Sequence, residues 1–476
     1  MSSESVRVLL LAEAANPSWR SVPLVGWSHC EAIAQQTDAH LVTQVRNRDA
    51  ILKEGWREPD DFTAIDSEAI AYPIYRATSL LRGGAGKGWT TDQAFSTVSY
   101  YYFEYLVWRK FKEELKAGRF DIVHRVTPMS PTKPSPMAKW CHSIGVPFVL
   151  GPLNGGLPWP SEFPDLARQE NEWLAKFRDF YHYLPYQKLT RECSAAVLAG
   201  SRNVYEGWNR QAPQRTFYMP ENGLDLDRLC QPRNRKAKLP IEVLFVGRMV
   251  PYKGADLLIE ALGPLIRGEK VRLKLIGDGP HKPALIAQVD RLGLQHGVDF
   301  HKPVRHSELG EHYAAADIFG FPSLRELGGA VVIEAMAQGM VPVVVDYGGP
   351  PEFLTPETGV VLPMGDRAKI VSSMRRAVAT FVDDPSKIHR ISSQARAEAR
   401  RRFSWQRKAS DDVRVYEWLL GRGPRPDLSP PSPYGHPPAN SLERNSAEHR
   451  PVPRGRDSCS KVGDAPVKKR SARPLA

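Results

Sequence analysis

Short, nearly continuous apolar runs alternate along this chain with longer stretches in which apolar residues return every three or four positions. The runs are Val6–Leu11, His40–Thr43, Asp121–Arg125, Val146–Leu150, Ala195–Ala199, Val243–Val246, Leu273–Pro280 with its turn, Ala315–Phe321, Val341–Val345 and TGVVLP at Thr358–Pro363. An apolar run without alternation is what a parallel strand buried on both faces requires. Between the runs lie helix-like stretches: one containing His29–Gln36, then Thr91–Leu115, Ala255–Leu262, Ala330–Gln338, Ala368–Phe381 and the amphipathic Phe403–Leu420. Strand and helix in alternation predict an α/β chain, and 476 residues exceed what one core can organise. The pattern therefore reads as two successive doubly wound parallel sheets with a cleft between them.

Several loops interrupt the pattern at informative places. The stretch AEAANPSWRSVPLVGW follows the first strand, where open α/β sheets usually meet ligands. After Val146–Leu150 comes GPLNGG, in which Asn154, Gly155 and Gly156 form a turn able to bring backbone close to a ligand in the cleft. RGGAGKGWT near residue 85 lacks the Ser or Thr after its lysine and a strand before it, so it does not read as a phosphate loop. Thr91–Leu115 carries Tyr100, Tyr101, Tyr102, Phe103, Tyr105 and Trp108 on nearly all sides, as a buried helix does. A second aromatic and basic helical stretch, with Trp173, Lys176, Phe177 and Tyr181, reads as packing in the same way.

The candidate chemistry is densest in PSLRELGGAVVIEAMAQGMVPVVVDYGGPPEF, Pro322–Phe353. Glu326 and Glu334 are separated by seven residues, with Gly328, Gly329 and Ala330 at the start of a helix that Gly339 ends. Glycines there let an anion approach the free N–H groups of the first turn, behind which the helix dipole is positive. Glu334 lies about a turn into the helix, on the order of 7 Å along its axis from the start. One carboxylate is thus available to hydroxyls on each side of a diphosphate, the layout of a nucleotide-sugar. A second charged loop, GRMVPYKG, follows the strand Val243–Val246 and places Gly247, Arg248 and Lys253 ahead of the next helix, where the two cations can meet the same diphosphate.

These stretches resemble the E-x7-E signature of the retaining glycosyltransferases of family 4, the glycosyl transferases group 1, written E-G-F-G followed by E-A-M-A-x-G-x-P-V-V. This chain reads Glu326-Leu327-Gly328-Gly329 and then Glu334-Ala335-Met336-Ala337-Gln338-Gly339-Met340-Val341-Pro342-Val343, departing at Leu327 and Gly328. ENGLD at Glu221–Asp225 resembles the family turn that opens the second domain, G-R-x4-K-G its donor-phosphate clamp, and Phe403-Ser404-Trp405 the start of its closing helix. The resemblance covers about Val6 to Leu420. It implies the GT-B fold, with a Rossmann-like acceptor domain over residues 1–215, a donor domain over 216–402 and a closing helix over 403–420 that returns to the first domain. It implies retaining transfer of a sugar from a UDP- or GDP-linked donor to a glycan or lipid-linked acceptor, as in surface or exopolysaccharide synthesis, without a metal ion or other cofactor. Arg248 and Lys253 then face the diphosphate, Glu326 the donor sugar and Glu334 the ribose. His124, at the end of the strand Asp121–Arg125, is expected to line the cleft beside the donor sugar. A sugar-phosphate or glycogen-type synthase would share this donor half, and a non-catalytic nucleotide-sugar scaffold would keep the binding without the turnover.

Charge and composition narrow the partners. Of the formal +12, half falls in the last 56 residues, where eleven Lys and Arg meet five Asp and Glu; the rest is only mildly basic. That suits an anionic donor or an anionic membrane surface, and no nucleic-acid-binding signature is present. Cys30, Cys141, Cys193, Cys230 and Cys459 have no metal-like spacing and point to a reducing compartment. No apolar stretch approaches the ~20 residues that span a bilayer, so a cytoplasmic protein, peripheral on the inner membrane face at most, is expected. From Gly421 on, eleven prolines and few large apolar residues predict a disordered basic tail over 421–476.

Overall fold

The computed structural model describes residues 5–68, 89–169, 184–226, 237–304 and 306–431. RGGAGKGWT up to Gly88, the aromatic stretch around Trp173, Cys230, Cys459 and the tail from 432 lie outside them. Seven parallel strands form the first sheet: β1 (Arg7–Ala12), β2 (Asp38–Gln44), β3 (Phe62–Ile65), β4 (Ile122–Thr127), β5 (Phe148–Leu153), β6 (Ala196–Ala199) and β7 (Thr216–Tyr218), in the order β3-β2-β1-β4-β5-β6-β7. Six more make the second: β8 (Ile241–Val246), β9 (Val271–Ile276), β10 (Val298–His301), β11 (Ile318–Phe321), β12 (Val341–Val345) and β13 (Val360–Leu362), in the order β10-β9-β8-β11-β12-β13, all parallel. This is the doubly wound GT-B architecture. The central strands owe their burial to their sequence: every residue of β12, VPVVV, is enclosed, and each such aliphatic side chain contributes about 1.5–3 kcal/mol.

In each sheet the strand order reverses once, between β1 and β4 and between β8 and β11. The crevice outside the carboxyl ends at such a point is where open α/β sheets bind ligands. The loops after β8 and β11 carry Lys253 and Glu326 to the second of these points.

The helix Trp405–Leu419 belongs to the first half. Trp405, Ala409, Val415 and Tyr416 join Trp27, Cys30 and Ile33 of the helix Val22–Ala34 on one face of that sheet. Tyr100, Phe103, Val107 and Phe111 of the helix Trp89–Lys116 cover the other face, although Tyr105 stands 46% exposed and the helix is not buried all round. The chain crosses between halves twice, and the two crossings lie side by side: Leu224 N donates to Phe403 O (2.7 Å) and Trp405 N to Leu224 O (3.1 Å). The expected boundaries move slightly. β7 adds Thr216–Tyr218 to the first sheet, and Phe403 still packs in the second core, so the crossings centre near Glu221 and Ser404.

Residues 421–431, expected in the tail, are packed. Tyr218 N donates to Leu428 O (2.7 Å), Arg425 donates to the carbonyls of Pro213, Gln214 and Thr216, and its guanidinium sits 4.6 Å from the Phe217 ring. Proline content hid this, because an extended segment covering an open sheet edge needs backbone groups rather than large side chains. Cys30, Cys141 and Cys193 are buried. Among the described residues no helix is long and apolar enough to cross a membrane.

Candidate functional site

β8 delivers Gly247 and the exposed Arg248 at its carboxyl end, and a turn of 3-10 helix, Pro251–Lys253, follows. Gly254 then adopts φ 71°, and a Cβ on it would lie 2.2 Å from the Pro322 carbonyl, so only glycine lets this loop meet the one after β11. Leu324 N donates to Tyr252 O (2.8 Å) across the same junction. The two loops are thereby fixed against each other, and the Lys253 ammonium ion-pairs with the Glu326 carboxylate, each side chain about 15% exposed. The Phe321 ring lies 5.4 Å beneath the ammonium. Arg248 has no hydrogen bond or ion pair through its side chain among the described residues.

The helix Ala330–Ala337 begins at Gly329, which takes φ 60°. The amides of Ala330 and Val331 have no acceptor within the helix, while Val332 N donates to Gly329 O (2.9 Å), and such an electropositive helix end is of the kind that takes phosphate. Glu334, a turn further on, accepts a hydrogen bond from Tyr313 Oη (2.9 Å), which orients its carboxylate. Gly328 is crowded: a Cβ there would fall 2.1 Å from Glu221 Oε1 and 2.4 Å from Asn222 Nδ2.

From the first half, Asn154, Gly155 (φ 148°) and Gly156 (φ 70°) continue from β5 as irregular chain, without the hydrogen-bonded turn the sequence suggested. The Asn154 side chain is buried, its Oδ1 accepting from Gly155 N (2.9 Å). The residues that follow reach across to the second half. Arg325 donates to Leu157 O from Nη2 (3.0 Å) and Nε (3.3 Å), and Tyr347 Oη donates to Pro158 O (2.9 Å). Trp159 sits between the Tyr252 ring (5.8 Å, edge on) and the Arg325 guanidinium (4.8 Å). Tyr252 and Arg325 immediately precede Lys253 and Glu326, so the contact between halves is made at the charged pair itself. Local pattern marks only Asn154-Gly155-Gly156; the partners of Trp159 lie more than ninety residues away, beyond its reach.

Glu352, the carboxylate of GGPPE, is a second tie. It accepts from Arg202 N (3.0 Å), at the start of the helix Arg202–Asn209, and from Tyr218 Oη (2.8 Å). Burial pushes its carboxyl up to about 7, against the opposing pull of these donors.

His124 is not at the cleft. β4 runs on to Thr127, which leaves His124 within the strand, fully buried on the face that the closing helix covers. Its Nδ1 meets Tyr416 Oη (2.6 Å) and its Nε2 the Gly151 carbonyl (2.7 Å), while burial lowers its pKa to about 4. A neutral, doubly bonded core histidine holds the helix to the sheet and is out of reach of a donor. Among the described residues no group of three or more His, Cys, Asp or Glu is placed to hold a metal ion.

Comparison with known proteins fits this geometry. Residues 230–398 match the family "Glycosyl transferases group 1". The chain is 32% identical over 187 residues to a D-inositol 3-phosphate glycosyltransferase of Streptomyces griseus, covering 37% of this chain and 39% of that relative. It is 31% identical over 218 residues to a GDP-mannose-dependent alpha-(1-6)-phosphatidylinositol monomannoside mannosyltransferase of Mycolicibacterium smegmatis, covering 42% and 55%. The chain thus spans about half the length of the curated relatives it matches. Its fold resembles Anabaena HepE, solved with UDP and glucose (TM-score 0.55, 18% identity, 87% of this chain and 100% of that one). It also resembles sucrose-phosphate synthase from Thermosynechococcus elongatus (TM-score 0.56, 17% identity, 88% and 100%).

Proposed function

We propose, from the match of residues 230–398 to the glycosyl transferases group 1, that the chain moves a sugar from a nucleotide-sugar to a glycan or lipid-linked acceptor with retention at the transferred carbon. The observation that carries this is the Lys253–Glu326 pair, set at the switch point of the second sheet beside the free amides of Ala330–Ala337. In this reading the donor diphosphate takes Lys253, Arg248 and the amides near Gly329 and Ala330, while Glu326 turns to the sugar hydroxyls and Glu334 to the ribose. Negative charge grows on the leaving diphosphate as the glycosidic bond breaks. Cations and dipoles already aimed there stabilise the transition state more than the ground state. No protein nucleophile is assigned. The positive charge is supplied by the chain, so turnover is expected to persist in EDTA.

The base is UDP- or GDP-type: HepE is solved with UDP, and the Mycolicibacterium relative is GDP-mannose-dependent. The first half, with the rim Asn154–Trp159, takes the acceptor. An exposed strip of the helix Trp89–Lys116 with Val98, Tyr105, Arg109 and Lys110 suits an anionic membrane face presenting that acceptor. Attachment of this kind fits synthesis of surface polysaccharide at the inner face.

The test is a thermal-shift screen of UDP- and GDP-sugars, followed by mass spectrometry of transfer to candidate acceptors. A ligand at a hundred times its Kd stabilises by about 2.7 kcal/mol, well within detection. If no nucleotide-sugar raises the melting temperature, the donor site is misread. Binding without transfer or donor hydrolysis would leave a scaffold.

A further inference from the structure

Gly328 departs from the E-G-F-G pattern, and the structure holds another residue in the space its side chain would fill. Glu221 reaches from the first crossing between halves so that its Oε1 would be 2.1 Å from a Cβ at 328, with Asn222 Nδ2 beside it at 2.4 Å. The φ of Gly328 lies outside the range that favours glycine, so space and not backbone conformation reserves the position for glycine. The other side of the same loop is closed by Gly348 and Gly349. A Cβ on Gly348 would fall 2.1 Å from Glu326 O, and one on Gly349 2.2 Å from Leu327 O. Gly349 N donates to Glu326 O (3.0 Å). The backbone of Glu326–Gly328 is therefore held between two glycines and the Glu221 carboxyl.

Glu221 has neighbours in both halves. Asn154 of the loop after β5 and Lys408 of the closing helix favour its charged form, Lys408 also donating to the Pro220 carbonyl, and the charge of Glu326 in the loop after β11 opposes it. Burial pushes the Glu221 carboxyl up to about 7, opposed by Asn154 and Lys408 and reinforced by Glu326. Lys408 is itself buried and lowered to about 8, with Asp412 behind it.

We propose that Glu221 is a positioning residue of the donor site: it replaces the side chain absent at 328 and fixes the Glu326 loop to the hinge when the halves are together. This rests on the donor site of the preceding section. Its action is through Glu326 and the amide at Gly329, which it orients without touching the reacting carbon.

A double-mutant cycle in the full chain tests it, with turnover of the nucleotide-sugar from the screen, UDP affinity by calorimetry and melting temperature as readouts. Glu221→Ala is expected to lower kcat by roughly tenfold or more with donor KM within about threefold, since small misplacements at the reacting centre cost rate. Glu221→Gln, of the same shape, is expected to restore kcat to within about threefold of wild type. Gly328→Ala displaces the carboxyl and reproduces the loss. The double variant is expected to be no worse than Gly328→Ala alone, because both changes remove one contact. Additive losses in the double variant, or unchanged kcat in Glu221→Ala, overturn the proposal. Should the wild-type chain bind no nucleotide-sugar, the proposed function fails, while coupling of the two changes in melting temperature still decides whether Glu221 holds the loop.

Discussion

At the scale of the residue, the donor site separates groups that hold from groups that respond to developing charge. Tyr313 orients the Glu334 carboxylate, which in the proposed function takes the ribose hydroxyls, whose charge does not change in the reaction. Glu334→Ala is therefore expected to raise donor KM and spare kcat. Lys253 and Arg248 take the leaving diphosphate in the same proposal, and each changed to Ala is expected to cost kcat on the order of 10²-fold, as deletion of one preorganised oxyanion donor does. Steady-state kinetics with varied donor checks both; a KM effect alone in Lys253→Ala reverses the assignment. Glu352 gives a pH signature instead. Its carboxyl rises from its ordinary value of 4.5 to about 7 in the folded chain. Between those values the folded state binds more protons than the unfolded state, so stability falls as pH rises through that window, by up to about 3 kcal/mol. Glu352→Gln keeps one acceptor oxygen for Tyr218 Oη and Arg202 N to share, gives up the second, and removes this share of the slope. Urea denaturation at pH 5 and pH 8 is expected to show the variant gaining on wild type at the higher pH.

At the scale of the element, β7 and the chain after the closing helix are coupled. β7 is the outermost strand of the first sheet, and Leu428 and Arg425 satisfy part of its open edge. A tail disordered from Gly421 on, as composition predicts, would be removable after Leu420 without loss of activity. The packing of 421–431 reverses that expectation: ending the chain at Leu420 uncovers the Tyr218 amide and the Phe217 ring, and removes the Arg425 hydrogen bonds. Two of the three Arg425 hydrogen bonds are exposed and water replaces them at little cost, so the loss falls mainly on the Tyr218 amide, the Thr216 carbonyl and the Phe217 ring. Truncation after Leu420 is expected to lower the melting temperature by a few degrees and promote association through the edge, compared with truncation after Pro431, which keeps the Leu428 and Arg425 contacts. Differential scanning calorimetry with light scattering separates the two. The closing helix follows the same rule at larger size. His124, Tyr416 and the pair His29–Asp412 (2.6 Å) make it a layer of the first half rather than a tether.

At the scale of the molecule, the two halves meet at Trp159, Arg325, Tyr347 and Glu352, around the charged pair. Trp159→Ala removes the ring between Tyr252 and Arg325 and loosens closure without touching Lys253 or Glu326. Compaction on adding UDP, read by small-angle scattering, is expected to shrink in the variant, and kcat to fall roughly tenfold because closure assembles the site. Equal compaction in both proteins would dissociate the contact from closure. The sequence by itself determined the two sheets, because a strand buried on both faces must be apolar throughout; VPVVV at β12 lies where it was read. β3, β7 and β10 are short or mixed in polarity, and local pattern did not separate them from loops. The sequence also determined the two charged loops, since Arg248, Lys253 and Glu326 follow closely on the strands β8 and β11 that position them, and Glu334 stands on the next helix. Only the tertiary structure decided that His124 is a core residue, that Trp159 bridges the halves, that Glu221 fills the space over Gly328 and that residues 421–431 cover an edge. Each depends on groups brought together from distant parts of the chain. Periodicity records which face of an element is buried, and carries no trace of what is packed against it.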